Sequence, residues 1–102
     1  EFDKAELALE RARGLALEHA KLFDQKPGEE YIAVLYNLAS FHEGLFAYYN
    51  RENRITPTVE SQRLLNRHGS EARRYFQEFL TLEPEGTPDY RTAAGKLQTL
   101  PR

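Results

Sequence analysis

Residues 70–84, Ser-Glu-Ala-Arg-Arg-Tyr-Phe-Gln-Glu-Phe-Leu-Thr-Leu-Glu-Pro, carry the strongest structural instruction in this chain of 102 residues. A small residue, Ala72, is followed four positions on by Phe76, and then by Phe79 and Leu80, the spacing of a single helix face. Pro84 ends the segment because it has no N–H to donate to a preceding turn. An alanine set among aromatics lets a second backbone come close while large side chains fill the flanking groove. Such a segment is made to stack against another helix.

The rest of the chain repeats that design. Asp3 with Glu6 three positions later forms a capping-box pattern, and the apolar residues after it (Leu9, Ala12, Ala16, Ala20, Phe23) predict a first helix over 4–24. Gln25-Lys26-Pro27-Gly28 then turns the chain. A second helix is expected over 29–51, with Glu29 and Glu30 at its positive end and Arg51 and Arg54 near its negative end. Its apolar residues cover most of its circumference, so it needs neighbours on more than one side. Thr56-Pro57 and Thr87-Pro88 each read as an N-cap followed by proline at the first helical position. They open a third helix over 57–82, with a bend expected at Gly69 and Ser70, and a fourth over 88–100. The expected fold is therefore all-α, four helices in two antiparallel hairpins, in one domain spanning 1–102. With no methionine in it, the sequence reads as a processed chain or a piece of a longer protein.

Composition narrows the function. Fourteen basic and sixteen acidic residues are interleaved for a net charge of −2, which gives no general attraction to nucleic acid or to anionic membranes. No stretch approaches the roughly 18 apolar residues that a membrane span requires. The absence of cysteine rules out disulfides and thiolate metal sites and suits a reducing compartment, so a cytoplasmic location is expected.

Residues 70–84 resemble the second helix of a tetratricopeptide repeat. Leu35-Tyr36-Asn37-Leu38-Ala39 resembles the first helix of such a repeat, and Pro88-Asp89-Tyr90-Arg91-Thr92-Ala93-Ala94-Gly95 resembles the first helix of the next. Ala39 and Ala72 stand farther apart than in a standard repeat, so the implied hairpin is longer by several turns. A weaker resemblance, carried by Val34 to Ala39, Tyr75 to Gln77 and Ala93 to Gln98, is to the helical domain of Alix-type endosomal-sorting adaptors. The resemblance implies a non-catalytic protein-interaction module in which the second and fourth helices line a groove for a peptide or a partner helix. Tyr36, Asn37, Ser40, Arg91 and Lys96 fall on that face, with Asn37 at the place where family members bond the peptide backbone. The carboxylate clamp of chaperone-tail binders is incomplete, since its places in the fourth helix hold Asp89 and Ala93.

Two alternatives come from other classes. Arg63 precedes His68 by the spacing found in HEPN-family ribonucleases, in which a histidine and an arginine work together at a dimer cleft. Five residues of helix turn those side chains about 140° apart, and His68 continues the inward stripe of Leu65, Ala72 and Phe76, so a packed histidine is the simpler expectation. The other alternative is a self-assembling bundle, with the aromatic-rich second helix covered by a second copy. His19, His42 and His68 lie on three different predicted helices without a Glu-x-x-His or His-x-x-x-His pair, so no metal or other cofactor is expected. Glu10, Glu18 and Glu43 read as solubilising surface acids. The isolated glycines Gly14, Gly44, Gly69 and Gly95 read as points of close helix crossing. Phe46, Tyr48, Tyr49, Asn50, Arg51, Asn53 and Arg54 form the best aromatic and basic patch.

Overall fold

The computed structural model describes residues 2–22 and 28–101. They form four α-helices, α1 (Phe2–Leu22), α2 (Glu29–Ile55), α3 (Val59–Leu82) and α4 (Pro88–Thr99), with no strand among the described residues. The all-α class expected from the sequence is the class adopted. The turn at 25–27, together with Phe23 and Asp24 at the expected end of the first helix, lies outside the described residues.

Side-chain contacts give the helix directions. Between α2 and α3, Asn53 meets Gln62, His42 meets His68, and Tyr31 meets Glu78, so sequence separation grows away from the turn and the pair is an antiparallel hairpin. Glu6, Glu10 and Arg13 of α1 meet Arg67, Tyr75 and Glu78 of α3 in ascending order, so α1 runs parallel to α3 and antiparallel to α2. The Arg73 guanidinium donates to the Leu97 carbonyl, which sets α4 back along α3.

The core combines Tyr31, Leu35, Leu38 and Ala39 of α2 with Ala72, Tyr75, Phe76 and Phe79 of α3, Ala93 of α4 and Leu100 just beyond it. Ala39, Ala72 and Ala93 are completely buried, and around them sit the largest buried side chains. Small residues admit close backbones, and the aromatics occupy the volume beside them. Tyr36 completes the packing with its ring edge toward Phe76 and Phe79, at centroid separations of 6.2 and 5.1 Å.

Several local expectations need correction. α1 already includes Asp3, which contributes first-turn charge rather than a cap. α2 runs to Ile55, with Thr56 as its C-cap, and α3 is capped by Thr58. The Thr58 hydroxyl accepts the Ser61 amide at 2.9 Å, and the Thr58 amide donates to the Ser61 hydroxyl at 3.2 Å, a reciprocal capping box. Two threonines flank Pro57, and only the second has a partner three residues on that can complete the box. The Thr87-Pro88 start is as expected, with Thr87 accepting from the Tyr90 amide.

α3 also runs unbroken through Gly69 and Ser70. Gly69 is instead a point of close approach, because a Cβ there would stand 3.0 Å from the Phe46 ring and 3.4 Å from Pro101. The other three expected crossing glycines have open space where a Cβ would sit. The small residue of α4 that is fully buried is Ala93, whereas Ala94 is half-buried and Gly95 exposed. Past Pro84 the chain turns through Gly86 at φ +86°, a conformation that glycine takes without a Cβ penalty.

The two threonines beside Pro57 separate by mutation. Thr58→Ala should destabilise the domain by about 1 kcal/mol in urea unfolding, and Thr56→Ala by less than half of that. Equal losses would contradict the assigned cap.

Candidate functional site

Of the five residues expected to bind a peptide, two share a groove. Tyr36 and Asn37 line a groove of about 340 Å³ together with Ile32, Phe79, Glu83 and Asp89. Ser40, Arg91 and Lys96 lie outside it, and the Lys96 ammonium is held 3.2 Å from Glu43 of α2. The HEPN-like pair is not brought together either. The Arg63 side chain is 60% exposed and paired with Glu60, while His68 is 3% exposed and faces the interior.

A larger apolar cleft of about 820 Å³ opens between α1 and α2, walled by Ala12, Leu15, Ala16, Leu22, Ala33 and Val34, with Glu18 and Glu30 also lining it. Leu7, Leu15 and Leu22 recur at seven- and eight-residue spacing, which is one stripe along a helix, and they are 51, 67 and 79% exposed. α1 therefore turns this leucine stripe outward.

The reason lies on its inner face. Glu6, Glu10 and Arg13, at helical spacing, point at the α2/α3 hairpin, where four rings are stacked in a column. Tyr49 of α2 lies on His68 of α3 at 5.7 Å, His68 on His42 of α2 at 5.1 Å, and His42 on Tyr75 of α3 at 5.8 Å, with interplanar angles of 9, 27 and 18°. Residues seven apart return to nearly the same side of a helix, so 42 with 49 and 68 with 75 alternate into a single ladder. The His42 and His68 Nδ1 atoms are 2.9 Å apart, so one donates and the other accepts. The Tyr75 hydroxyl donates to Glu10 at 2.6 Å and accepts from Arg74 at 2.9 Å. Arg67 pairs with Glu6 and approaches His68 Nε2 at 3.5 Å. Arg13 lies over the rings of Tyr31 and Tyr75, 3.8 Å from Glu78.

Burial dominates the proton equilibria in this layer. It pushes both imidazoles below their ordinary value of 6.5, His68 to about 4 with added repulsion from His42 and Arg67, and His42 downward against the opposing pull of Glu6. Burial and the bond to Glu10 hold the Tyr75 phenol well above its usual range. At neutral pH His42, His68 and Tyr75 are therefore uncharged, ringed by carboxylates and guanidinium groups.

The sequence reading missed this layer. It placed the histidines on separate helices, where the fold brings His42 and His68 into contact, and it read Glu10 as a surface acid, where Glu10 accepts from buried Tyr75. The spacings His42 to Tyr49, His68 to Tyr75 and Glu6 to Glu10 were the available signal, and they acquire meaning only once the helices are paired. The aromatic and basic patch is only partly absorbed into structure, since Tyr48, Arg51 and Arg54 are exposed and Arg51 lies over the Tyr48 ring. Tyr49 belongs to the column, and Asn53 accepts from Ser61 and donates to Gln62 across the turn.

In comparisons with family models, with curated proteins and with solved structures, the chain matches none. Within the described residues, no helix is long and apolar enough to cross a membrane.

The His68 environment predicts the direction of pH dependence. Between pH 6.5 and about 4 the unfolded chain protonates His68 while the folded chain does not, so the unfolded state binds more protons and stability falls as the solution is acidified. The contribution is fully present above 6.5 and amounts to on the order of 3 kcal/mol once lost. Urea midpoints that stay constant from pH 7 to 5 would refute it.

Proposed function

We propose that this domain is a non-catalytic protein-interaction module that receives an amphipathic helix of a partner protein along α1 and the α1/α2 cleft. The observation that carries the reading is the solvent-facing stripe of Leu7, Leu15 and Leu22 beside a wide cleft with apolar walls. An exposed apolar strip on a helix whose opposite face is occupied by polar contacts gains from being covered, and each fully buried leucine is worth roughly 1.5–3 kcal/mol. Helix-in-groove recognition uses apolar anchors at this spacing. Glu18 and Glu30 in the cleft favour basic residues flanking those anchors. The tetratricopeptide resemblance is compatible with such a role, but the surface belongs to α1 and α2 rather than to α2 and α4. The smaller groove at Tyr36 and Asn37 is a secondary surface, edged by the acids Glu29, Glu83 and Asp89. A cytoplasmic setting fits a chain without cysteine.

Selection from a displayed library of amphipathic helical peptides tests the reading. Selected binders should weaken 10- to 100-fold against Leu15→Asp and against Leu22→Asp, variants at exposed positions that leave the helical circular dichroism unchanged. Binders insensitive to both substitutions would overturn the assigned surface. Light scattering across a dilution series identifies the competing case, in which a second copy of the chain covers the stripe and Leu15→Asp dissociates it. RNA cleavage lost in both Arg63→Ala and His68→Ala would replace the reading with a nuclease.

A further inference from the structure

We propose that Glu6, Glu10 and His42 form a binding site for a divalent first-row transition cation, with zinc the best fit. Three independent features converge on it. Glu6 and Glu10 are one turn apart on α1, and one carboxylate oxygen of each lies with a His42 ring nitrogen in a group whose members are all within 4.8 Å of one another. The His42 side chain is completely buried, yet its Nε2 has no hydrogen-bond partner; the Glu6 carboxylate is 3.8 Å from it, beyond hydrogen-bonding range. A buried polar atom left without a partner costs about 1–3 kcal/mol, and native structures rarely carry one without a reason. The third feature is behind the ring, where His42 Nδ1 faces His68 Nδ1 at 2.9 Å.

That last contact couples the two tautomers, and a cation at His42 Nε2 would select the one in which His42 donates from Nδ1 and His68 accepts. When His42 donates from Nδ1 to His68, its Nε2 lone pair points outward toward the two carboxylates, the form that a metal ligand requires. Ligating histidines are commonly held in this way by an acceptor on the far nitrogen. His68 is thus a positioning residue. Two carboxylate oxygens and one imidazole nitrogen suit zinc with water as a fourth ligand, and they disfavour the all-oxygen shells of calcium and magnesium. Around zinc, with bonds of ~2.0–2.1 Å, tetrahedral ligand atoms stand roughly 3.3 Å apart. Glu6 and His42 at 3.8 Å are close to this already, and rotation of two half-buried glutamates closes the remainder.

The competing cation is Arg67, which now holds Glu6. A divalent ion would displace it from one carboxylate oxygen and leave it beside the second. Arg67 satisfies Glu6 but does nothing for His42 Nε2, so the guanidinium accounts for half of the site only. Once bound, the cation would tie α1 to α2 through groups that at present have no direct hydrogen bond between them, fixing the helix that carries the leucine stripe.

The test is calorimetric titration of the metal-stripped chain with zinc chloride at pH 7.5, with Co²⁺ absorption as a second readout. One saturable site per chain is expected, weakened at least tenfold by Glu10→Gln, which keeps an acceptor for Tyr75, and by Glu6→Gln. His68→Leu, which removes the acceptor, should weaken it 10- to 100-fold, with His68→Gln restoring part of the affinity, while His19→Gln should leave it unchanged. Because His42 variants can unfold, long-range ¹H–¹⁵N spectra of the wild-type chain supply the decisive assignment, a zinc-induced shift at His42 Nε2. Absence of saturable binding below millimolar zinc would overturn the proposal, as would affinity that survives Glu10→Gln or a zinc shift confined to His19.

Discussion

Two imidazoles are stacked at the centre of the α2/α3 hairpin, and much of the remaining architecture answers the polarity they bring. A buried ring nitrogen needs a partner, and each histidine has two. Facing Nδ1 to Nδ1 solves one nitrogen of each, with burial keeping both rings neutral. Of the outer nitrogens, that of His68 meets Arg67 of α3, while that of His42 faces α1 without a hydrogen-bond partner. α1 brings Glu6 and Glu10 to that side, α3 adds Arg67, and Tyr75 bridges the column to Glu10.

The orientation of α1 goes with its polar contacts to Arg67, Tyr75 and Glu78 of α3. Amphipathic helices ordinarily dock through their apolar stripe. Here Leu9, Ala16 and Leu17 do meet the core, but the charged residues Glu6, Glu10 and Arg13 share the inner face. With that face engaged by polar and cation–π contacts, Leu7, Leu15 and Leu22 are left outside. The inward carboxylates and the outward leucines are two sides of one rotational setting of the helix. A cation bound by Glu6, Glu10 and His42 would hold the same setting more firmly.

Four helices, their order and much of the core were legible in the sequence because helical periodicity is local. Ala72, Phe76 and Phe79 announce an inward face wherever the helix packs, and Thr87-Pro88 announces a start whatever surrounds it. Errors arose where two local solutions were nearly equal. Either threonine beside Pro57 can cap in principle, and the side chain of Ser61 decided between them. Gly69 could have meant a bend or a close approach, and the Phe46 ring beside it settled the matter. The candidate sites were far less legible. Asn37 and Tyr36 border a groove, whereas Lys96 pairs with Glu43 of α2, a partner that the repeat resemblance does not indicate.

The amino-acid order by itself determined that the chain is helical, roughly where α2, α3 and α4 lie and which side of α3 turns inward, because these depend on backbone sterics and on spacings of three to seven residues. Only the tertiary structure decided that His42 meets His68, that Glu10 is an acceptor rather than a surface charge, and that the leucines of α1 face solvent. Those outcomes depend on how helices are paired and rotated about their axes, and a buried nitrogen can bond only to what the neighbouring helix places within about 3 Å of it.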